Sequence, residues 1–426
     1  MRRTVDFPVP GQKNIRLLQW AIFILGGLYF INCFSPIRIH YDMLRYFAIK
    51  DCLEGNCPPG ADRNDYLPFG YTALLLLMSK LGILKSYSII FINCLYLLGG
   101  LFFVRKVFAY IRAPYFLFLL VLLNWTVIKF VTHPLSELQY LFFSLGGVYA
   151  FYRFTQTKNY LNLLIAFLLA GLAFVTRTVG VTLLVALFLS LVWEYRKQFF
   201  ILLKKNKIVA TLILFCIIGV LIFSKQLGLN HYSGVMSKQF SGGLEHAEVI
   251  KWHFSEWGEI LTNTSKAKMI SYLPASVGAW LYICIGILGV CAFVFICFIQ
   301  KNKIPFVVKT YLFLYLLLMF NWPFQDPRFW VPVIPLIAAV ISQTSFVRLA
   351  IARIFSSFYF WVYLILGIAS LTYMTYTSLD KKVFSRTQAK GVYRNEYEIH
   401  FFGKPLSDTA MHIDPYLVEF LKKYDR

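Results

Sequence analysis

The sequence predicts an all-helical protein that crosses a membrane many times, and three observations carry that prediction. Of its 426 residues, 58% are hydrophobic and 18% aromatic, and only 15% are charged. With a mean hydropathy of +0.63 this is too apolar a mixture for a water-soluble globule. The apolar residues recur in runs of span length, about 11–12 in all. The charges between the runs are also unevenly shared. The segments 1–16, 153–158, 194–207, 301–309 and 348–353 hold 16 Lys/Arg against two acids. The longer polar regions 35–66, 225–275 and 378–426 are nearly balanced, with four against five, five against four and nine against seven. The formal net charge of +22 would point to nucleic acid in a soluble chain, but this distribution reads as positive-inside topology, and no nucleic-acid partner is expected. The basic set is placed in the cytoplasm and the three balanced regions outside.

The first apolar run, Leu17–Phe34, lacks a small-residue cleavage pattern and reads as a retained span behind a cytoplasmic amino terminus. The first outer loop follows and carries His40-Tyr41-Asp42-Met43-Leu44-Arg45-Tyr46. In a helix, Asp42, Arg45 and Tyr46 share one face, since positions three and four apart are neighbours. A solvated Asp42–Arg45 ion pair fits the same spacing. Cys52 and Cys57, with four residues between them, sit where an oxidising compartment permits a disulfide. The other cysteines assigned to spans (Cys94, Cys216, Cys284, Cys291, Cys297) read as small packing residues, and no zinc-type pattern exists.

Turn residues from Asn56 to Asp65 lead back to the membrane at Tyr66-Leu67-Pro68-Phe69-Gly70-Tyr71. The run Phe69–Leu84 is short and interrupted by Lys80, and counting it as a full crossing would put Lys225 on the wrong side. It therefore reads as a half-span or surface helix. Tyr87–Val104, Pro114–Val131, Leu135–Tyr152, Tyr160–Val175, Val179–Trp193 and Ile208–Ser224 then read as spans. At the outer end of one of them lies Thr132-His133-Pro134-Leu135-Ser136-Glu137, where Pro134 suits a first helical turn and Glu137 complements the helix dipole. Arg177, between two spans at the outer boundary, either snorkels to lipid phosphate or holds a phosphate-bearing ligand.

The second outer insert, 225–275, contains His231, His246 and His253 with Glu245, Glu248, Glu256 and Glu259. Their spacing matches no established metal pattern, and an amphipathic interfacial helix anchored by Trp252 and Trp257 is expected. The spans Ser276–Ile299 and Phe306–Phe320 follow, then Asp326 and Arg328 at the outer edge of Phe329–Phe346, which Pro332 and Pro335 punctuate. Phe355–Thr377 is the last span. No internal repeat is visible, so the expected organisation is one membrane domain over 1–377 and a small ordered outer tail over 378–426.

This topology gathers Asp42, Arg45, His133, Glu137, Arg177, Asp326 and Arg328 at one membrane face from separate parts of the chain. Carboxylates for proton transfer beside guanidiniums for a phosphate suit a sugar joined through phosphate to a polyprenyl lipid. With Leu67-Pro68-Phe69-Gly70-Tyr71 at the re-entry, His133-Pro134-Leu135-Ser136-Glu137, Thr176-Arg177, and Arg328 ahead of two prolines, the chain resembles the GT-C membrane glycosyltransferases over roughly 1–345. Many relatives carry two adjacent prolines where this chain has Leu67-Pro68.

The resemblance implies a catalytic first-loop aspartate at Asp42, a polyprenyl-phosphate sugar donor, and transfer outside the cytoplasm to a lipid, glycan or protein acceptor. The expected site has Asp42 and Glu137 as catalytic carboxylates. Arg45, Arg177 and Arg328 would lie on the donor phosphate, with Tyr46, His133 and Asp326 on substrate. A second first-loop carboxylate is either Asp51 or Asp65, and the resemblance leaves a divalent-metal requirement open. A lipid-linked sugar flippase and a glycan polymerase or ligase are the alternative readings. Short loops and a lone outer sequon at Asn263-Thr264-Ser265 favour a bacterial plasma membrane.

Overall fold

The structure, a computed structural model, describes residues 12–62, 66–109, 114–196, 211, 229–241, 244–272, 274–299, 303–342, 350–406 and 413–425. Among them every regular element is helical and none is a strand. The expected span Ile208–Ser224 lies outside the described residues but for one position, and Asp65 and Cys216 lie outside them altogether.

The first half of the chain comprises α1 (Gln12–Asn32), α2 (Tyr41–Leu53), α3 (Phe69–Lys80), α4 (Ser86–Val107), α5 (Pro114–Leu122), α6 (Trp125–Val131), α7 (Glu137–Thr157), α8 (Tyr160–Thr176) and α9 (Val181–Glu194). The second comprises α10 (Leu229–Ser241), α11 (Leu244–Thr262), α12 (Lys266–Ile270), α13 (Ala275–Val294), α14 (Phe306–Phe320), α15 (Ile334–Ile341) and α16 (Ala350–Leu379). The tail adds α17 (Lys381–Thr387), α18 (Arg394–Phe402) and α19 (Pro415–Tyr424).

Three stretches among the described residues are long and apolar enough to cross a membrane: Ser86–Val107, Ser276–Ile299 and Ser357–Leu379. Only 44%, 28% and 28% of these windows is buried against protein, so most of their apolar surface needs a non-aqueous neighbour. α3 has 12 residues and reaches about 18 Å, well short of a hydrocarbon core of roughly 30 Å, as its short, Lys80-interrupted run implies.

Two expected spans are not continuous helices. Pro114–Val131 breaks into α5 and α6 at Asn124. The Asn124 side chain caps α6 by accepting from the Thr126 and Val127 N–H groups at 3.1 and 3.4 Å, while its amide donates to the Tyr363 hydroxyl at 2.7 Å. A capping side chain satisfies the orphan donors of a new helix start, which ends the old one. The expected span from Phe329 onward is a 3₁₀ turn, Pro327–Trp330, then turn residues through Val333 and the eight-residue α15. Pro332 cannot donate its backbone N–H, and α15 is buried nearly throughout, so it is a core helix and not a lipid-facing one.

Trp257, expected as an interfacial anchor, is wholly buried, packed edge-on to Trp330 with ring centres 5.6 Å apart. Cys52 and Cys57 are joined by a disulfide closing the end of α2. Cys33, at the end of α1, packs its thiol 3.9 Å from that of Cys94 on α4.

Candidate functional site

α2 begins where the extended segment after α1 stops. His40 is its N-cap, and the His40 Nδ1 accepts the Asp42 backbone N–H at 3.2 Å. This cap fixes Asp42 in the first helical turn, where a carboxylate also complements the helix dipole. Burial, and then the nearby Arg328 charge, lower the His40 pKa, so the ring is neutral and its proton lies on Nε2. α7 begins at Glu137, directly after Ser136, and α8 ends at Thr176 with Arg177 as its C-cap.

Two backbone approaches hold this corner. A Cβ added at Gly70, in the first turn of α3, would lie 2.6 Å from the Val175 carbonyl oxygen. One at Gly180 would lie 2.5 Å from the Phe174 Cα. Only glycine allows such contact between main chains, so α3 and the start of α9 both press on the turn that presents Arg177.

The polar side chains meet in a cavity of about 250 Å³, lined among others by Asp42, Tyr46, Glu137, Arg177, Asp326 and Arg328. Arg328 donates to Asp42 Oδ2, and its Nε lies 3.1 Å from Asp326 Oδ2 and 3.6 Å from Glu137 Oε1. Asp326 also accepts the Arg328 backbone N–H at 3.0 Å, which shapes the 3₁₀ turn around the guanidinium. Arg177 donates to Glu137 Oε1 and lies 3.4 Å from the Ser136 hydroxyl, which shares a 3.1 Å hydrogen bond with Tyr46. The Phe329 ring lies beside both guanidiniums, 4.9 Å from Arg328 and 5.3 Å from Arg177.

Three carboxylates thus face two guanidiniums. Burial alone would raise the Asp42 carboxyl, but the adjacent Arg328 charge and hydrogen bond outweigh it and hold Asp42 below the usual aspartate range. Burial works against the Arg177 charge, but the charge and hydrogen bond of Glu137 together with its other neighbours outweigh it, so the guanidinium is firmly protonated. Burial pushes the Tyr46 hydroxyl up to about 12, keeping it a neutral donor or acceptor. Glu137 is 1% exposed, and its Oε2 has no hydrogen-bond partner among the described residues. A buried carboxylate oxygen with no donor is costly unless a ligand supplies one.

Six of the eight residues singled out from sequence for catalysis, phosphate or substrate line this cavity directly: Asp42, Tyr46, Glu137, Arg177, Asp326 and Arg328. Arg45 and His133 do not. The Arg45 guanidinium lies over the Tyr66 ring at 4.1 Å and donates to the Tyr66 hydroxyl. His133 is buried beside His40, ring centres 6.3 Å apart, with its Nδ1 2.8 Å from the Lys129 carbonyl. Burial first, then nearby cations, hold its pKa well below the ordinary value, so it stays neutral.

Asp51 is not among the residues lining the cavity; it accepts from the Tyr424 hydroxyl at 2.9 Å and Lys423 at 3.1 Å, and Asp65 lies outside the described residues.

Sequence reasoning missed the aromatic rim. Tyr66 stacks on His231 at 4.0 Å, and Tyr232, on α10, lies 5.1 Å from Trp322 while lining the cavity. It also missed what holds the Arg328 turn from behind. His253 places Nδ1 2.7 Å from Glu256 and Nε2 2.6 Å from the Trp322 carbonyl, and the Trp330 indole donates to the same Glu256 oxygen at 2.7 Å. His253 is therefore a buried structural partner of Glu256 and the Trp322 carbonyl. Among the described residues no three His, Cys, Asp or Glu side chains gather as metal ligands, and the three site carboxylates are already matched to guanidiniums. Comparison of the chain with protein-family models, curated proteins and solved structures returned no match.

Proposed function

We propose that this chain is a polytopic membrane glycosyltransferase of about 11–12 spans that moves one sugar from a polyprenyl-phosphate donor to a lipid, glycan or protein acceptor. Transfer proceeds with inversion on the extracytoplasmic face of a bacterial plasma membrane. The observation that carries the reading is the convergence of Asp42, Glu137 and Asp326 with Arg177 and Arg328 around one cavity, from four places in the sequence. The aromatic rim supports it, since sugars present apolar C–H faces to rings while their hydroxyls seek carboxylates.

In this reading the Arg177 and Arg328 guanidiniums bind the donor phosphodiester. Asp42 accepts the acceptor hydroxyl's proton as that oxygen bonds to the anomeric carbon. The bond from the anomeric carbon to the phosphate oxygen breaks on the opposite side, and its electron pair leaves on the phosphate, which the guanidiniums stabilise. An arriving phosphate shares Arg328 with Asp42, so donor binding weakens the hold on the carboxylate and makes it a better base. Glu137 anchors Arg177 and offers its unpartnered oxygen to a sugar or acceptor hydroxyl. Arg45 acts through the rim, and His133 supports His40 from outside the cavity.

The test is single-turnover transfer by purified protein in nanodiscs, with a panel of radiolabelled polyprenyl-phosphate sugars and chelator in half the samples. Asp42→Asn is expected to slow release of polyprenyl phosphate about 10²–10⁴-fold while leaving the protein folded. Unchanged turnover in that variant would remove Asp42 from the mechanism. No release by wild type from any donor would return weight to a flippase or polymerase.

A further inference from the structure

The chain on the amino-terminal side of Asp42 is extended, and its backbone makes no sheet. Its polar groups are instead taken by side chains more than 340 residues away. The Ile37 N–H donates to Asp425 Oδ1 at 2.9 Å, and the Ile37 carbonyl accepts from the Tyr397 hydroxyl at 2.7 Å. The Ile39 N–H donates to the same Tyr397 oxygen at 2.9 Å, and the Ile39 carbonyl accepts from Gln388 at 3.2 Å. All four main-chain groups of these two residues thus end on the tail. Between them the buried Arg38 side chain donates to Gln388 at 3.1 Å and to Ser378 at 2.9 Å, and lies over the Phe384 ring.

The far half of α2 is held the same way. Phe47 packs against Phe420 and Tyr424, with ring centres 5.1 and 4.7 Å apart. Lys50, wholly buried, donates to the Tyr424 hydroxyl at 2.8 Å. Asp42 lies between these two sets of contacts. His400 completes the arrangement by placing Nε2 2.9 Å from the second oxygen of Asp425.

We infer that the tail is a clamp built into the active site, and that Tyr397 and Asp425 are positioning residues that set the entry of α2 and hence the placement of Asp42. The role in turnover rests on the function proposed above, and the clamp itself rests on the contacts alone. A surface tail that only packed would meet side chains; this one takes up the backbone three to five residues before the reacting carboxylate. A displacement of about 1 Å there is enough to cost roughly 10²-fold in rate.

The experiment uses the full-length protein in nanodiscs, with Tyr397→Phe, Asp425→Ala, Asp425→Asn and the exposed-site control Val392→Ala. Amide exchange by mass spectrometry is read over residues 36–42, and transfer is read as separate kcat and KM. Tyr397→Phe and Asp425→Ala are expected to raise exchange in that segment at least about tenfold, with the tail helices still protected. Both should lower kcat about 10²-fold at unchanged donor KM. Asp425→Asn keeps an acceptor for the Ile37 N–H and should restore most of both, and Val392→Ala should change neither.

Unchanged exchange over residues 36–42 overturns the clamp, as does wild-type kcat in a variant whose segment has loosened. Loss of protection across all tail helices in Asp425→Ala but not in Asp425→Asn still assigns Asp425 to the clamp; equal loss in both overturns it. Where wild type transfers no sugar, the proposed function fails, and the exchange pattern alone decides whether the tail holds this segment.

Discussion

The Asp42 carboxyl carries its charge to lower pH than a free aspartate, because Arg328 sits against it. A group whose folded pKa is depressed stabilises the fold fully above its unfolded value and loses that contribution as the pH falls through the folded value. The melting temperature of wild type should therefore exceed that of Asp42→Asn by its full margin near neutrality. The margin should close only at a pH below the ordinary aspartate range, as read by melting curves of both proteins across an acid series. A margin that stays constant into strong acid would mean that the pair adds nothing through its charge. Asp42, Glu137, Arg177, Asp326 and Arg328 were legible in the sequence because ionisable groups at the ends of apolar runs are costly to place without a partner. The turn of Arg45 toward Tyr66 was not legible. Helical spacing fixes the face a residue occupies, and the choice between a carboxylate and an aromatic ring on that face is made by a neighbour 21 positions on.

Among the helices, the short α3 is set by the main-chain contact at Gly70. Replacing Gly70 with alanine forces a Cβ into the Val175 carbonyl and the Thr176 Cα, both backbone atoms that cannot swing aside. The expected cost is about 1–3 kcal/mol, together with a loss of turnover as the Thr176–Arg177 turn is pushed from Glu137. Gly171→Ala is the matched comparison, since nothing lies within 4 Å of a Cβ there and alanine favours the helix. A Gly70→Ala protein with wild-type melting and turnover would show that the approach is not required. The run Phe69–Leu84 announced a short element by its length and Lys80, but the division of Pro114–Val131 was hidden. Its break depends on Asn124 finding Tyr363, a partner 239 positions distant, and apolar periodicity reports nothing of that pairing.

At the scale of the molecule, large apolar side chains such as Trp20, Phe23, Leu288, Phe358 and Trp361 stand exposed on several helices, as lipid-facing surface requires. The charge balance leads to the expectation that the tail lies outside and the segment 153–158 inside. In a background with native free cysteines replaced, a thiol at the exposed Val392 should react with an impermeant maleimide on intact cells, and one at Lys158 only after permeabilisation. The reverse pattern would invert the topology. Composition made the all-helical, membrane-seeking character readable, whereas the closure of the tail onto the first loop was beyond it, since its contacts are single polar side chains meeting main chain. That closure also has a bearing on biogenesis. Residues 37–42 leave the ribosome well before the groups that seat them, from Gln388 to Asp425, are made. The loop that carries Asp42 must therefore wait in an unfinished state through the making of nearly every helix. A nascent chain cut short of Tyr397 would hold its cavity residues without the seat that aligns them, so competence arrives in one late step.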